Sequence, residues 1–405
     1  RTILLLIMLC TQIEAAEKIV LEEVFKDPAH GWAKVERYRD TLPGYPKEDY
    51  PPDGRGDQDR HRLRYFGEKQ PHSSKFLLYY APGWDSKSQY PPVLLIHGTN
   101  DNADRGWANP NELGFGCGTI ACPNRGLMQT LSEQGFRVFA INFAHKHGDN
   151  YAWSENIRAA LEVVRKVTGA RQVDLIGWSK GAFAARIYVS GMKPNWGKGY
   201  QKDVRKLILL GAPNNGIDFA FRHGATFTDF IYPTCAGALK INGPGPHTEV
   251  ECNGKWISAP EYSLYKTEKG DCFPGQRQML NRLDRVHTVA ETTTDWKTTY
   301  YGGRGSKSVS LGIDVAMRDS LISQMHKRGT HKSVKVYLMA GGASNIPFIF
   351  NEKSAPSDGL LFVSSATHVA GIKRVGAVRV MEGLNHLQLG WDEAATTQIV
   401  AWLKE

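Results

Sequence analysis

Several things are scarce or missing in this chain of 405 residues, and each absence narrows what it does. No apolar run is long enough to span a bilayer as a helix, which takes roughly 20 residues, so no integral membrane segment is expected once the short N-terminal run is set aside. There is no internal repeat and no low-complexity tail, which excludes solenoids and disordered scaffolds. The formal net charge of +9 is spread along the chain apart from short clusters such as Arg55–Arg64, and no nucleic-acid-binding motif accompanies it. The basic residues therefore read as a solvated surface. Cysteine is sparse, at six residues, and none stands with histidines at metal-ligand spacing, which argues against a structural zinc site.

What is present describes an ordinary globular protein. The chain is 41% hydrophobic and 22% charged, enough to bury a sizeable core in one large domain or two ordinary ones. Arg1, the run Ile3–Leu9 and the small residues Ala15-Ala16 have the form of a signal peptide, so residues 1–16 are expected to be removed on export. Export predicts a secreted or periplasmic location and a compartment in which disulfides persist. Without Cys10, the cysteines are Cys117, Cys122, Cys235, Cys252 and Cys272. Cys117 and Cys122 are close enough for a small loop bridge, any two of the other three remain open as a pair, and the odd count leaves one thiol over.

Residues 17–72, punctuated by Pro43-Gly44-Tyr45-Pro46 and Pro51-Pro52-Asp53-Gly54, read as an extension that wraps the surface as loop. Leu63–Phe66 and Lys75–Ala81 read as strands. Then strands and helices alternate: strand Val93–Ile96, helix Leu127–Gln134, strand Arg137–Ala144, helix Ser154–Val167 with Ser154 as N-cap, strand Val173–Ile176 and strand Lys206–Leu210. Such alternation predicts an α/β fold with a mostly parallel central sheet and helices on both faces. The rhythm stops over 214–332, rich in Gly, Pro and aromatic residues, and this stretch reads as a large cap or lid insertion. It resumes with strands Val334–Ala340 and Ala377–Met381 and an amphipathic helix over Trp391–Lys404. Residues 73–213 and 333–405 thus form the expected core.

The chemistry centres on Gly177-Trp178-Ser179-Lys180-Gly181, which follows the apolar run Val173–Ile176 and precedes small helical residues. A Gly-x-Ser-x-Gly between strand and helix is the form of a nucleophile elbow, which leaves the serine hydroxyl exposed at a sharp turn. Gly177 and Gly181 are required there because side chains would crowd the neighbouring strand and helix. The helix that starts behind Ser179 aims free N–H groups and a positive dipole end at any anion formed. A serine hydroxyl needs an imidazole to take its proton and a carboxylate to hold that imidazole. His386, in the loop between the last strand and the final helix, is the candidate base. Asp358, in Ser357-Asp358-Gly359, is the candidate acid, with Asp314 as the alternative. The oxyanion requires two N–H donors. Lys180 supplies one from its backbone, and Thr99 in His97-Gly98-Thr99 the other, with Asn100 second. His97 reads as a structural residue of that turn.

Ile96-His97-Gly98-Thr99, the elbow, Gly211-Ala212-Pro213-Asn214-Asn215-Gly216, Ser357-Asp358-Gly359 and Asn385-His386 together resemble the bacterial secreted lipase and esterase branch of the α/β-hydrolase superfamily. Val167–Leu175, the His97–Asp104 loop and Tyr232-Pro233-Thr234-Cys235 also resemble lipase-like extracellular polyhydroxyalkanoate depolymerases. The resemblance runs from about residue 90 to the C-terminus and is weak through the cap. Lys180 stands where many lipases carry Met, His or Gln, and the short His-Gly-Thr-Asn turn replaces a glycine-rich loop. The resemblance implies a carboxylic-ester hydrolase acting through an acyl-enzyme on hydrophobic esters, or alternatively on a polyester, with no cofactor. Phe219, Phe221, Phe227, Phe230, Ile231 and Tyr232 would line an acyl cleft or pack the cap itself. Nothing in the spacing of Asp149, Asp218 and Asp271 demands calcium. The rival from another class is a non-catalytic binding protein on the same fold, and oligomeric state has no sequence signal.

Overall fold

The computed structural model describes residues 18–48, 64–68, 70–112, 117–219, 274–287, 313–314, 317–347 and 351–405, with backbone alone for three short strands between 240 and 258. In chain order the main elements are β1 (Ile19–Lys26), β2 (Lys34–Asp40), β3 (Lys75–Tyr80), β4 (Val93–Ile96), α1 (Leu127–Glu133), β5 (Val138–Phe143), α2 (Asn150–Thr168), β6 (Val173–Trp178), α3 (Lys180–Val189) and β7 (Val204–Leu210). There follow β8 (Lys240–Asn242), β9 (Glu249–Cys252), β10 (Lys255–Ser258), α4 (Pro274–Gln278), α5 (Ile322–Arg328), β11 (Lys335–Gly341), α6 (Val363–Ala366), β12 (Val375–Met381) and α7 (Glu393–Lys404).

A nine-stranded sheet in the order β1-β2-β3-β5-β4-β6-β7-β11-β12 organises these elements. From β5 to β12 neighbouring strands are parallel, and β1, β2 and β3 add an antiparallel flank. Side chains of a strand alternate between faces, and strands buried on both sides read as unbroken apolar runs. In β4, Val93 and Leu95 join one core, whereas Leu94 and Ile96 join the opposite one. The first core packs against Leu127, Leu131, Ile399 and Trp402 of α1 and α7; the second packs against Trp153, Ile157, Ala182 and Tyr188 of α2 and α3. This is the expected α/β architecture of a largely parallel sheet covered by helices on both faces. β8, β9 and β10 form a separate antiparallel sheet within the stretch read as a cap.

Three sequence expectations are corrected. The N-terminal extension is not a surface loop throughout, because Ile19–Asp40 supplies two sheet strands. Their high charge hid them: Arg37 pairs with Glu22 at 3.1 Å and Glu23 at 2.7 Å, and Arg39 pairs with Glu22 at 2.9 Å across the hairpin. Opposite charges facing each other satisfy a strand as well as apolar residues do. Arg64–Phe66 is helical rather than extended, with Tyr65 and Phe66 buried side by side instead of alternating; Leu63 lies outside the described residues. Finally, α2 starts four residues before the position expected from Ser154. The Asp149 carboxylate caps it by accepting from the N–H groups of Tyr151 at 2.7 Å and Ala152 at 3.1 Å, while Ser154 is buried inside the first turns.

The N-terminal hairpin is tied to α2 by a buried charge cluster. Arg158 donates to Asp40 at the end of β2 and to Glu155 at 2.9 Å, and Tyr45 donates to Asp40 at 3.2 Å. Arg158 and Asp40 are 2% and 3% exposed, so removing one partner strands the other in a low-dielectric interior. Asp40→Asn is therefore expected to lower unfolding free energy by about 3 kcal/mol. Glu162→Gln, which removes the largely exposed partner of Arg158, should cost less than about 1 kcal/mol. Urea titration of the two variants separates an integral hairpin from a loosely attached one, since equal small losses would exclude the former.

Candidate active site

The site is built where β6 turns into α3. Ser179 adopts φ 53° and ψ −122°, a conformation unusual for a residue with a side chain, and its N–H donates to the carbonyl of Leu210 on β7 at 2.8 Å. The flanking glycines make the turn possible. A Cβ on Gly177 would lie 2.5 Å from the Cα of Ala182, and one on Gly181 would lie 2.2 Å from the carbonyl oxygen of His97. Strand, helix and the β4 loop thus meet at backbone contact, leaving the serine as the residue held in strain.

His386 reaches this turn from the loop after β12. Its Nδ1 lies 2.7 Å from Oδ2 of Asp358, and its backbone N–H donates to the Asp358 carbonyl at 2.8 Å. A carboxylate accepts, so Nδ1 carries the proton and Nε2 is left as the basic nitrogen. Asp358 is fully buried, and its other oxygen accepts from the N–H groups of Leu360 at 3.1 Å and Leu361 at 2.7 Å. Asp314 is elsewhere: its carboxylate is exposed and paired with Arg282.

Ser179, His386 and Thr99 share one narrow pocket of about 40 Å³, whose apolar walls are Ile217, Phe219, Met279, Leu360 and Leu361. Of the aromatic run expected to line an acyl cleft, Phe219 is in this wall, and Phe221 to Tyr232 lie outside the described residues. Thr99 Oγ1 accepts a 2.6 Å hydrogen bond from Gln276 of α4. Asn100 sits at φ 52° with its carbonyl accepting from Arg105 at 2.9 Å. His97 is buried, donates from Nδ1 to the carbonyl of Gly98 at 2.7 Å, and packs edge-on against Phe143 and Trp153.

The Lys180 side chain turns away from the pocket. It is fully buried, with Nζ 3.0 Å from the ring centroid of Trp153 and no hydrogen-bond partner among the described residues. Burial pushes its ammonium well below the usual lysine range, against the opposing pull of Glu48 and Asp149.

Two contributors carried little sequence signal. Trp178, the residue before the serine, donates from Nε1 to the carbonyl of His386 at 3.0 Å, tying the elbow to the histidine loop. A buried indole N–H must find an acceptor, so its place inside the motif was a hint. Gln276 comes from the stretch without strand–helix rhythm, and nothing in the sequence marked it. Gly211 has φ +51°, and a Cβ there would lie 2.8 Å from His386 Cε1, so the imidazole lies directly on its backbone.

Among the described residues no group of three or more His, Cys, Asp or Glu is arranged to hold a metal. Asp149 is engaged as the α2 cap and by Gln278, and Asp218 accepts from the Leu283 N–H at 3.2 Å. Asp271 is outside the described residues, as are Cys235 and Cys272 and the side chain of Cys252. Cys117 and Cys122 are joined in a disulfide.

The family model described as lipase (class 2) matches residues 90–259. A triacylglycerol lipase of Pseudomonas fragi is 29% identical over 140 residues, covering 34% of this chain and 40% of that protein. A triacylglycerol lipase of Burkholderia plantarii is 28% identical over 131 residues, covering 32% of this chain and 31% of that protein. These matches therefore span less than half the length of either relative. Among solved structures, a Bacillus licheniformis lipase, BlEst2 in its mature form, is similar at 12% identity and a TM-score of 0.42, covering 78% of this chain and 94% of that one. Over this part of its length the chain is thus similar to class 2 lipases and to bacterial triacylglycerol lipases.

The backbone contact at the elbow predicts the cost of adding a methyl group. Gly181→Ala forces the Cβ into the His97 carbonyl and should cost about 3 kcal/mol or more of stability. Gly383→Ala, where a Cβ meets nothing within 4 Å, should change stability by less than about 1 kcal/mol. Thermal melting of both, alongside wild type, checks the difference.

Proposed function

We propose that this chain is a secreted serine carboxylic-ester hydrolase that works through an acyl-enzyme. The observation that carries the reading is the His386–Asp358 pair opening onto the same pocket as a serine held at positive φ. Ser179 attacks the ester carbonyl while His386 Nε2 takes its proton. The buried Asp358 keeps the imidazole in the required tautomer and stabilises the imidazolium. The backbone N–H groups of Lys180 and Thr99 hold the oxyanion, assisted by the N-terminus of α3. His386 returns the proton to the leaving alcohol, and water then releases the acid by the same route in reverse.

Hydrophobic esters, acyl glycerols first, are the substrate class supported by the apolar pocket wall. Residues 214–332 are read as the cap, which agrees with Gln276 and Met279 of that stretch lining the pocket. Secretion or periplasmic export rests on the form of residues 1–16. A polyester is the second substrate, carried by the depolymerase-like stretches Val167–Leu175 and His97–Asp104.

Hydrolysis of p-nitrophenyl esters of increasing chain length, with an amorphous polyester film in parallel, tests the assignment. Ser179→Ala should remove at least about 10⁴-fold of the turnover while keeping the fold. Survival of ester cleavage in that variant would reject the mechanism. Rates that rise with chain length support a lipase, film clearing a polyester depolymerase, and activity confined to short esters an ordinary carboxylesterase.

The acid is tested separately. Asp358→Asn should reduce kcat by about 10⁴-fold, because the imidazole loses the partner that fixes its tautomer. Asp314→Asn, which alters an exposed ion pair, should leave kcat within about twofold. Reversed results would transfer the role to Asp314.

A further inference from the structure

We infer that Asn385 is a positioning residue for His386 and that the loop closed by Cys117–Cys122 is the anchor through which it acts. The inference rests on His386 being the general base.

Asn385 is fully buried directly before the histidine, and every polar atom of its side chain is used. Its Nδ2 donates to the carbonyl of Gly118 at 2.7 Å and to Oδ1 of Asn345 at 2.9 Å. Its Oδ1 accepts from the N–H of Leu387 at 3.2 Å. Gly118 offers only an acceptor and Leu387 only a donor, so the amide has one satisfactory orientation. One side chain therefore joins three segments: the histidine loop, the loop after β11 and the disulfide loop. The last is clasped twice, since Trp391 Nε1 also donates to the carbonyl of Cys117 at 2.8 Å. Contact is close enough that a Cβ on Gly118 would lie 2.3 Å from Asn385 Oδ1.

The histidine loop is held on one side by the loop after β11, where the Ala343 N–H donates to the Leu384 carbonyl at 3.0 Å, and on the other by the disulfide loop. Gly383 has no neighbour within 4 Å of where its Cβ would be, so the segment leaving β12 is not packed from that side. His386 itself is secured through its own backbone by Asp358 and Trp178, whereas the residue before it is held by its N–H to Gln388 Oε1 at 3.0 Å and by its side chain to Asn345 and the disulfide loop. That loop is short, with five residues of separation between its cysteines, and Ile120 at its tip is 80% exposed. Ile120 and Ala121 are exposed whereas Cys117 and Gly118 are buried, so the covalent closure ties the exposed end of the turn back to the two buried carbonyls that Asn385 and Trp391 use. Misplacing a catalytic group by about 1 Å costs on the order of 10²-fold in rate, so a brace of this kind acts on kcat rather than on substrate binding.

The test uses the full chain as Asn385→Ala, as Cys117→Ser with Cys122→Ser, and with all three changes together. kcat and KM on a short soluble p-nitrophenyl ester, the rate of Ser179 labelling by a fluorophosphonate, and the melting temperature are read for each. The expected result is a kcat lower by roughly 10- to 100-fold in either variant, KM within about twofold, and labelling slowed in step. The combined variant should be no slower than the worse single one by more than about threefold, because both changes cut the same connection. Unchanged kcat in a folded variant, losses that multiply, or a rise in KM matching the loss would each overturn the inference. Should Asn385→Ala fail to fold, the cysteine pair decides alone, and an unchanged kcat there overturns it. A wild-type chain that neither cleaves esters nor labels at Ser179 would overturn the ester-hydrolase reading itself; an active wild type with unaffected variants overturns only the brace.

Discussion

Backbone-to-backbone contact at the β6–α3 turn is the constraint on which the rest of the molecule depends. Because Gly177 touches Ala182 and Gly181 touches the His97 carbonyl, three segments are fixed relative to one another without side chains between them. Within the turn, Ser179 is the residue at positive φ, and it lines the pocket. Strain of this kind persists only where the surroundings over-determine it. Here the surroundings are the parallel strands β4, β6 and β7, buried on both faces, and the small residues Ala182, Ala184 and Ala185, which let α3 lie close to the sheet.

Around that fixed point the polar groups form a chain of holds. Trp178 reaches from the elbow to the histidine, Asp358 reaches the histidine through both backbone and side chain, and the N–H groups of Leu360 and Leu361 fix Asp358 in turn. The carboxylate is thus buried with its oxygens occupied, and burial is tolerable for that reason. On the other side of the turn, Lys180 does the opposite. Its ammonium is enclosed without a hydrogen-bond partner among the described residues, over the face of Trp153, so its stem and aromatic contact secure α3 against α2.

Legibility in the sequence followed the strength of local patterns. The parallel strands could be read because strands buried on both faces are unbroken apolar runs, as Val93–Ile96 and Leu207–Leu210 show. The flanking hairpin could not, because Arg37 and Arg39 find their counter-charges only once the strands are side by side. The start of α2 was misplaced for a related reason: Ser154 and Asp149 are both good caps, and only the fold shows which one lies outside the helix. That Ser179 and His386 line one pocket and that Asp358 contacts His386 could be anticipated because their order and their loops follow the strands. Gln276 was not, since its hydrogen bond to Thr99 links residues 177 positions apart, and no local pattern encodes such a contact.

The order of these parts along the chain has a temporal consequence. Ser179 is laid down with β6, but the Trp178–His386 bond spans 208 residues, and the groups it joins cannot meet until β11 and β12 have been added to the far side of the sheet. Contacts so distant in sequence form late, after the entropy of closing the intervening chain has been overcome. On the proposed mechanism, a nascent chain that has reached β7 therefore holds Ser179 without His386 beside it. If Ser179 and His386 act as proposed, the site is completed only with the docking of the last strand of the sheet.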